Sequence, residues 1–245
     1  MNRPSAKPLL SRLAAYAKAE GLFSPRDRVL AGVSGGADSV CLAHWLAAQR
    51  AKGRLAGLTL VHFHHGLRGR AADKDAAAVR VLAERLGAGF VFERLDVRAA
   101  AAQRQAGLED AGRALRYRSL ARLANSGGFT KAALGHHGDD HAESVLLHLL
   151  RGTKAAGLAG IPPRRALKGS RAEVVRPLLP LGRDETRAYC RAFGLAWRED
   201  ATNRDPAFTR NWVRRRVMPL LEGKNPRLRE HLRALACDLR RRLKP

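Results

Sequence analysis

Apolar positions first recur at helical spacing between Pro8 and Gly21, where Leu9, Leu10, Leu13, Ala14 and Ala17 share one face. The period then shortens. Arg28 to Val33 is an apolar run of strand length, followed by the turn Ser34 to Ser39 and a helical pattern from Val40 to Lys52 that stops before Gly53. Leu58 to Phe63 predicts a second strand, with a His- and Arg-bearing turn behind it and a helix from about Ala72 to Leu86 ended by Gly87. Phe90 to Val97 predicts a third strand and Glu109 to Asn125 a helix whose apolar face carries Leu115, Leu120 and Leu123. Lys131 to Gly135 predicts a fourth strand, Asp139 to Leu150 the helix after it, and Val174 to Leu179 a fifth strand. Strands alternating with helices of this length predict an α/β fold: a Rossmann-like, mostly parallel sheet with helices on both faces and its sites at the carboxyl ends of the strands. The Gly-, Pro- and Arg-rich stretch 151–171 reads as a loop or flap. Beyond Arg183 the pattern is wholly helical, so a larger α/β domain over 1–182 and a small helical appendage over 183–245 are expected.

Charge adds a partner. The 245 residues carry a formal net charge of +24, and the stretch from Arg210 to Pro245 holds 12 Lys or Arg against three acids. A polyanion is implied, because neutralising phosphates releases condensed counterions, and nucleic acid is the first candidate. Part of the excess also fits an Arg-rich composition from skewed codon usage, and charge alone would suit an anionic membrane surface as well. At 45% hydrophobic and 28% charged residues the chain is a core-forming one. It has no apolar run of the roughly 18 residues a bilayer span needs, and Arg3, Lys7, Arg12 and Lys18 interrupt its start, so a soluble, cytoplasmic protein is expected. Cys41, Cys190 and Cys237 stand far apart with no CxxC, which suggests neither a disulfide framework nor a Cys-based metal site.

The turn Ser34-Gly35-Gly36-Ala37-Asp38-Ser39 joins a predicted strand to a helix, where adjacent glycines let backbone N–H groups approach an anion at a helix N-terminus. No Lys follows, as a Walker loop requires, and the spacing is not that of a dinucleotide-binding loop. An ordinary tight turn fits equally well on these residues alone. His62, His64, His65, His136, His137 and His141 are ligand types, but a strand sends alternate side chains to opposite faces, so a structural zinc is the minority reading. Asp139 and Asp140 open a helix, where acids favour the dipole whatever else they do, and Glu143 follows one turn on. Arg113 and Arg116, also one turn apart, are surface cations or counter-charges to phosphate.

With Ser34, Gly35, Gly36, Asp38 and Ser39 filling SGGxDS, the chain resembles the PP-loop ATP pyrophosphatases, which use ATP to adenylate a carbonyl-type oxygen. The ordered set that follows is similar to the tRNA(Ile)-lysidine synthase family from about Arg28 to Arg227: His65 to Arg68, the Arg113, Arg116 and Tyr117 helix, His136 to Glu143, Arg176 to Leu179, Asp200 to Asn203, and Arg210 to Arg214. Gly112 stands where that pattern has Ala, and His141 and Ser144 where it has Gln and Thr. The resemblance implies ATP-dependent ligation of free L-lysine to the wobble cytidine of an isoleucine tRNA with a CAU anticodon, through an adenylated cytidine, changing decoding from AUG to AUA. It implies ATP binding by Ser34, Gly35, Gly36, Ala37, Asp38 and Ser39 with Val61, His62 and His136. Catalysis would fall to Asp38, Asp139, Asp140, Arg113 and Arg214, with Mg²⁺ on Asp38, while metal, ammonium and general-base roles stay open among the three aspartates. His65, Arg68, Arg116, Tyr117, Glu143, Asn203, Arg210 and Asn211 would contact tRNA or lysine. Longer members of that family carry further C-terminal RNA-binding domains; here the basic end is expected to contact tRNA, and a homodimer is the assembly considered. The alternatives are a tRNA thiolase of the same fold, disfavoured because Cys41 has no CxxC partner, and a non-catalytic RNA-binding protein of that fold.

Overall fold

In a computed structural model of the chain, residues 6–66, 70–105, 107–198 and 209–243 are described. Six strands, β1 (Arg28–Gly32), β2 (Gly57–His64), β3 (Gly89–Arg94), β4 (Lys131–Leu134), β5 (Arg164–Ala166) and β6 (Glu173–Val175), form one sheet in the order β3-β2-β1-β4-β6-β5. All pairings are parallel except the edge pairing of β5 on β6. Eleven helices appear among the described residues: α1 (Lys7–Ala19), α2 (Ala37–Ala51), α3 (Arg70–Arg85), α4 (Val97–Arg104), α5 (Leu108–Gly127), α6 (Gly138–Leu150), α7 (Ala155–Leu158), α8 (Arg183–Ala192), α9 (Thr209–Trp212), α10 (Met218–Glu222) and α11 (Leu228–Arg242). A π-helical turn, Val213–Val217, joins α9 to α10.

The period-2 reading of the strands sorts the core into two layers. Val29, Ala31, Leu58 and Leu60 face a layer filled by Leu13 of α1, Trp45 and Leu46 of α2 and Tyr189 of α8. Leu30 and Val61, one residue out of step, face the other layer with Leu120, Ala121 and Ala124 of α5. A third cluster joins Ala142, Leu146 and Leu147 of α6 to Val213 and Met218, with Leu228 and Leu232 of α11 against it. The helix that opens the segment from residue 183, α8, thus shares the first layer, while α9 to α11 pack with α6.

Three expectations change. The third strand stops at Arg94, because the Asp96 carboxylate accepts a hydrogen bond from the Ala99 N–H at 2.9 Å and caps α4, a helix the sequence pattern did not show. The fifth strand ends at Val175, since Pro177 and Pro180 cannot donate to a ladder; Leu178 and Leu181 still bury in a turn. The stretch read as a flap contains the three-residue edge strand β5, exposed throughout. No helix among the described residues is long and apolar enough to cross a membrane.

The chain moves outward from β1 through β2 to β3, then returns to place β4 on the other side of β1. That reversal opens a crevice at the carboxyl ends of β1 and β4, where ligands bind in open α/β sheets.

Candidate active site

One wall of the crevice is the Ser34–Ser39 turn. Gly35 has φ +94°, a conformation that a side chain would strain, and Gly36 precedes the first turn of α2 in an extended conformation. The Ser39 hydroxyl accepts the N–H groups of Ser34 and Gly35, each at 3.2 Å, and donates to the Gly36 carbonyl at 2.9 Å. Loop amides that converge on one oxygen are the arrangement a phosphate oxygen can take over. The turn is anchored from β2: the Val33 N–H donates to the Val61 carbonyl, and His62 Nδ1–H donates to the Val33 carbonyl, both at 2.9 Å.

The opposite wall is the start of α6. His137 caps the helix through Nδ1, which accepts the N–H groups of Asp139 and Asp140, while Asp140 Oδ2 accepts the His137 N–H at 3.0 Å. With Nδ1 accepting, the ring proton sits on Nε2, 3.5 Å from both Asp38 Oδ2 and Asp140 Oδ2. Burial disfavours charge on this ring, but Asp140, Asp38 and Asp139 outweigh it and raise the His137 pKa. Burial likewise works against the Asp38 carboxylate; His137 and the Thr186 hydroxyl, which donates to Oδ1, hold its pKa below the usual value.

Behind this pair lies an ionic cluster. Arg214 donates from Nε and Nη2 to the two oxygens of Glu143, at 2.7 and 2.8 Å, and from Nη2 to Asp140 Oδ1 at 3.0 Å. Arg210 donates to Asp140 Oδ1 at 3.0 Å and to Glu143 at 3.4 Å. Glu143 is only 1% exposed, and despite its burial Asp140 is held well below the carboxylate range by His137, Arg210 and Arg214. Asp139 turns elsewhere: Oδ2 accepts the Arg183 N–H at 3.0 Å, which caps α8, and Oδ1 lies 3.8 Å from Arg229. One aspartate of the pair therefore faces the crevice and the other joins two helices.

The crevice thus gathers Ser34 to Ser39, His137, Asp140, Glu143, Arg210 and Arg214; Asn211, next to Arg210 on α9, is buried. His136 follows β4, with burial pushing its pKa down to about 3, so the ring is neutral. Arg113, Arg116 and Tyr117 project from α5, and His65 lies beside Gly112 of that helix. Val61 places its side chain in the second core layer, and its carbonyl accepts the Val33 N–H. His62, 4% exposed and committed to Val33, positions the turn. Arg68 and Asn203 lie outside the described residues. Sequence reasoning missed Thr186, a buried hydroxyl from α8 that no local pattern marks. It also gave no sign that several cations of the basic end are held by this chain. Arg233 donates to the Leu179 and Pro180 carbonyls, Arg240 to those of Ala159 and Ile161, and Arg229 to Glu222.

Among the described residues no group of three or more His, Cys, Asp or Glu could enclose a metal. A Mg²⁺ ion still fits Asp38, whose ionised carboxylate is a third exposed beside the turn, because Mg²⁺ takes one or two carboxylates and completes its shell with phosphate oxygens and water.

A family model described as a PP-loop domain matches residues 8–221. The tRNA(Ile)-lysidine synthase of Dehalococcoides mccartyi is 41% identical over 225 residues, covering 91% of this chain and 48% of that protein. The tRNA(Ile)-lysidine synthase of Symbiobacterium thermophilum is 45% identical over 214 residues, covering 87% and 44%. The chain therefore spans just under half the length of these curated relatives. Among solved structures, the U34-tRNA thiolase NcsA of Methanococcus maripaludis shares the fold, with a TM-score of 0.79 over 97% of this chain and 80% of that one at 17% identity.

Proposed function

The chain belongs to the PP-loop domain family, and we propose that it uses ATP to join free L-lysine to the wobble cytidine of an isoleucine tRNA bearing a CAU anticodon. The 2-oxo oxygen of cytidine is a poor leaving group. Its attack on the α-phosphorus of ATP releases pyrophosphate and leaves AMP on that oxygen; the lysine side-chain amine then forms a bond to the ring carbon, loses a proton and expels AMP. The observation that carries this reading is the convergence, at the carboxyl ends of β1 and β4, of the Ser34–Ser39 amides with the carboxylates of Asp38, Asp140 and Glu143.

The turn would take the departing phosphates, with Gly35 and Gly36 leaving room and the α2 N-terminus favouring negative charge. Asp38 would hold Mg²⁺, which neutralises phosphate charge when bound. His137 orients Asp38 through Nε2–H, and Thr186 fixes its other oxygen. Asp140 and Glu143 offer two buried carboxylates to a lysine ammonium, with Arg210 and Arg214 as the partners it would meet there. The basic segment 183–245 is read as a tRNA-contacting unit. Its exposed Arg215, Arg216 and Arg241 are better placed for phosphate than the tied Arg233 and Arg240. A thiolase reading finds less support: Cys41 and Cys190 are buried, with the Cys190 thiol pushed up to about 12. The test is pyrophosphate release from ATP with tRNA present or omitted. Release that needs tRNA supports the proposal, and equal release without tRNA contradicts it.

A further inference from the structure

Basic side chains in the crevice are paired, but a second group beside it is not. Arg113, Arg116 and Tyr117 lie three and four residues apart on α5 and so share one face. Arg165 of β5 and Arg176, just past β6, close over them from the sheet. The Arg165 guanidinium sits 4.6 Å from the centre of the Tyr117 ring and that of Arg113 at 5.2 Å, while Arg176 Nη2 donates to the Tyr117 hydroxyl at 3.3 Å. Arg176 is 2% exposed. Its Nη1 donates to the Pro162 carbonyl at 2.7 Å, and its Nε is buried with no partner among the described residues. Arg116 is partly buried; burial and the nearby Arg113 both disfavour its charge.

None of these four arginines makes an ion pair among the described residues, whereas the partly buried Arg210, Arg214 and Arg229 all do. Guanidiniums gathered round one phenol repel one another, and that arrangement is favoured when an anion joins it. Their planar donor forks match the oxygens of a phosphate. The group adjoins the crevice, because Arg176 follows Val175, which pairs with Ala133 near the end of β4, and Arg113 follows Gly112, which lies beside His65 just past β2. We propose that Arg165 and Arg176, with Arg113 and Arg116, form a phosphate-binding site around Tyr117, distinct from the amides of the Ser34–Ser39 turn. Two sources share that chemistry: a phosphodiester of the RNA, which rests on the reading above, or the phosphates of ATP.

Arg165 is exposed on an edge strand, so Arg165→Gln tests the site without removing a buried group; Arg164→Gln, on the same strand, removes the same charge from outside the group. Affinity for total tRNA, ATP and inorganic pyrophosphate is measured on the full chain without turnover. Arg165→Gln should weaken tRNA binding about tenfold and flatten the slope of log K against log salt by about one, with Arg164→Gln changing affinity less than about twofold. Weakened binding of ATP or pyrophosphate with tRNA affinity unchanged also supports the site and assigns it to the nucleotide. Unchanged affinity for all three ligands, or equal losses in the two variants, overturns it. No lysidine is formed in these measurements, so failure of the ligase reading leaves their outcome intact.

Discussion

Replacing Arg214 with Met removes the side chain that neutralises most of the buried acid in the crevice. Glu143 is 1% exposed and would lose both short hydrogen bonds, keeping only Arg210 at 3.4 Å; Asp140 would lose one of its two guanidinium partners. Removing one partner of a buried pair costs about 3–5 kcal/mol, and the remaining Arg210 places the expected loss near the lower end, about 3 kcal/mol. For a chain of this size that lowers Tm by roughly 6–12 °C. Changing Glu143 to Met as well removes the stranded charge, so the double variant should recover most of the loss, with a coupling of about 2–3 kcal/mol between the two sites. Urea unfolding of the wild type, both single variants and the double variant at pH 7 completes the cycle. A single variant within about 1 kcal/mol of the wild type, or two strictly additive losses, would refute the reading of this cluster as a buried ionic unit.

Asp38→Asn should abolish ATP-dependent pyrophosphate release while tRNA affinity stays near that of the wild type; near-normal release contradicts the role given to Asp38. Gly112→Ala should stabilise the protein by about 1 kcal/mol, because an added Cβ meets Val97 and His65 at ordinary contact distances of 3.5–3.9 Å within a helix, and calorimetry should show a Tm higher by about 2–4 °C. His141 is held near pH 4 by burial and by Arg240 and Arg233, and its Nδ1 already accepts the Ile161 N–H. Its folded pKa lies below the unfolded value, so its contribution to stability is complete above about pH 6.5 and lost as pH falls toward 4. Unfolding at pH 7 and pH 5 should show His141→Gln flattening that loss; an unchanged pH dependence contradicts it. Arg240→Ala should lower stability by about 1–3 kcal/mol, because two carbonyls lose their donor, and leave the salt slope of tRNA binding unchanged.

The parallel sheet and its crevice were legible because strand-length apolar runs alternate with helical periods, and the Ser34–Ser39 turn stands at the first strand-to-helix junction. Asp96 was an available signal for α4, but it was absorbed into an apolar run read as strand. β5 carries two arginines in three residues and has no buried face, so no periodicity could mark it. Within the site, residue types were legible and pairings were not. Asp139 and Asp140 are neighbours of one kind, yet the arrival of α8 turns the first toward Arg183, and Arg210 and Arg214 claim the second. Net charge left pairings open in a similar way. Arg233 and Arg240 count fully toward +24, yet the Nη2 of each is held on two carbonyls of this chain, which composition cannot distinguish from an unattached side chain.

Lysine ligation is read out by incubating the protein with ATP, labelled L-lysine and isoleucine tRNA carrying a CAU anticodon, then digesting the tRNA to nucleosides. Label is expected in a cytidine derivative heavier by one lysine less one water, dependent on ATP and absent when the wobble cytidine is replaced by uridine. Pyrophosphate release with no lysine in the nucleosides, or label that survives the loss of that cytidine, would contradict it.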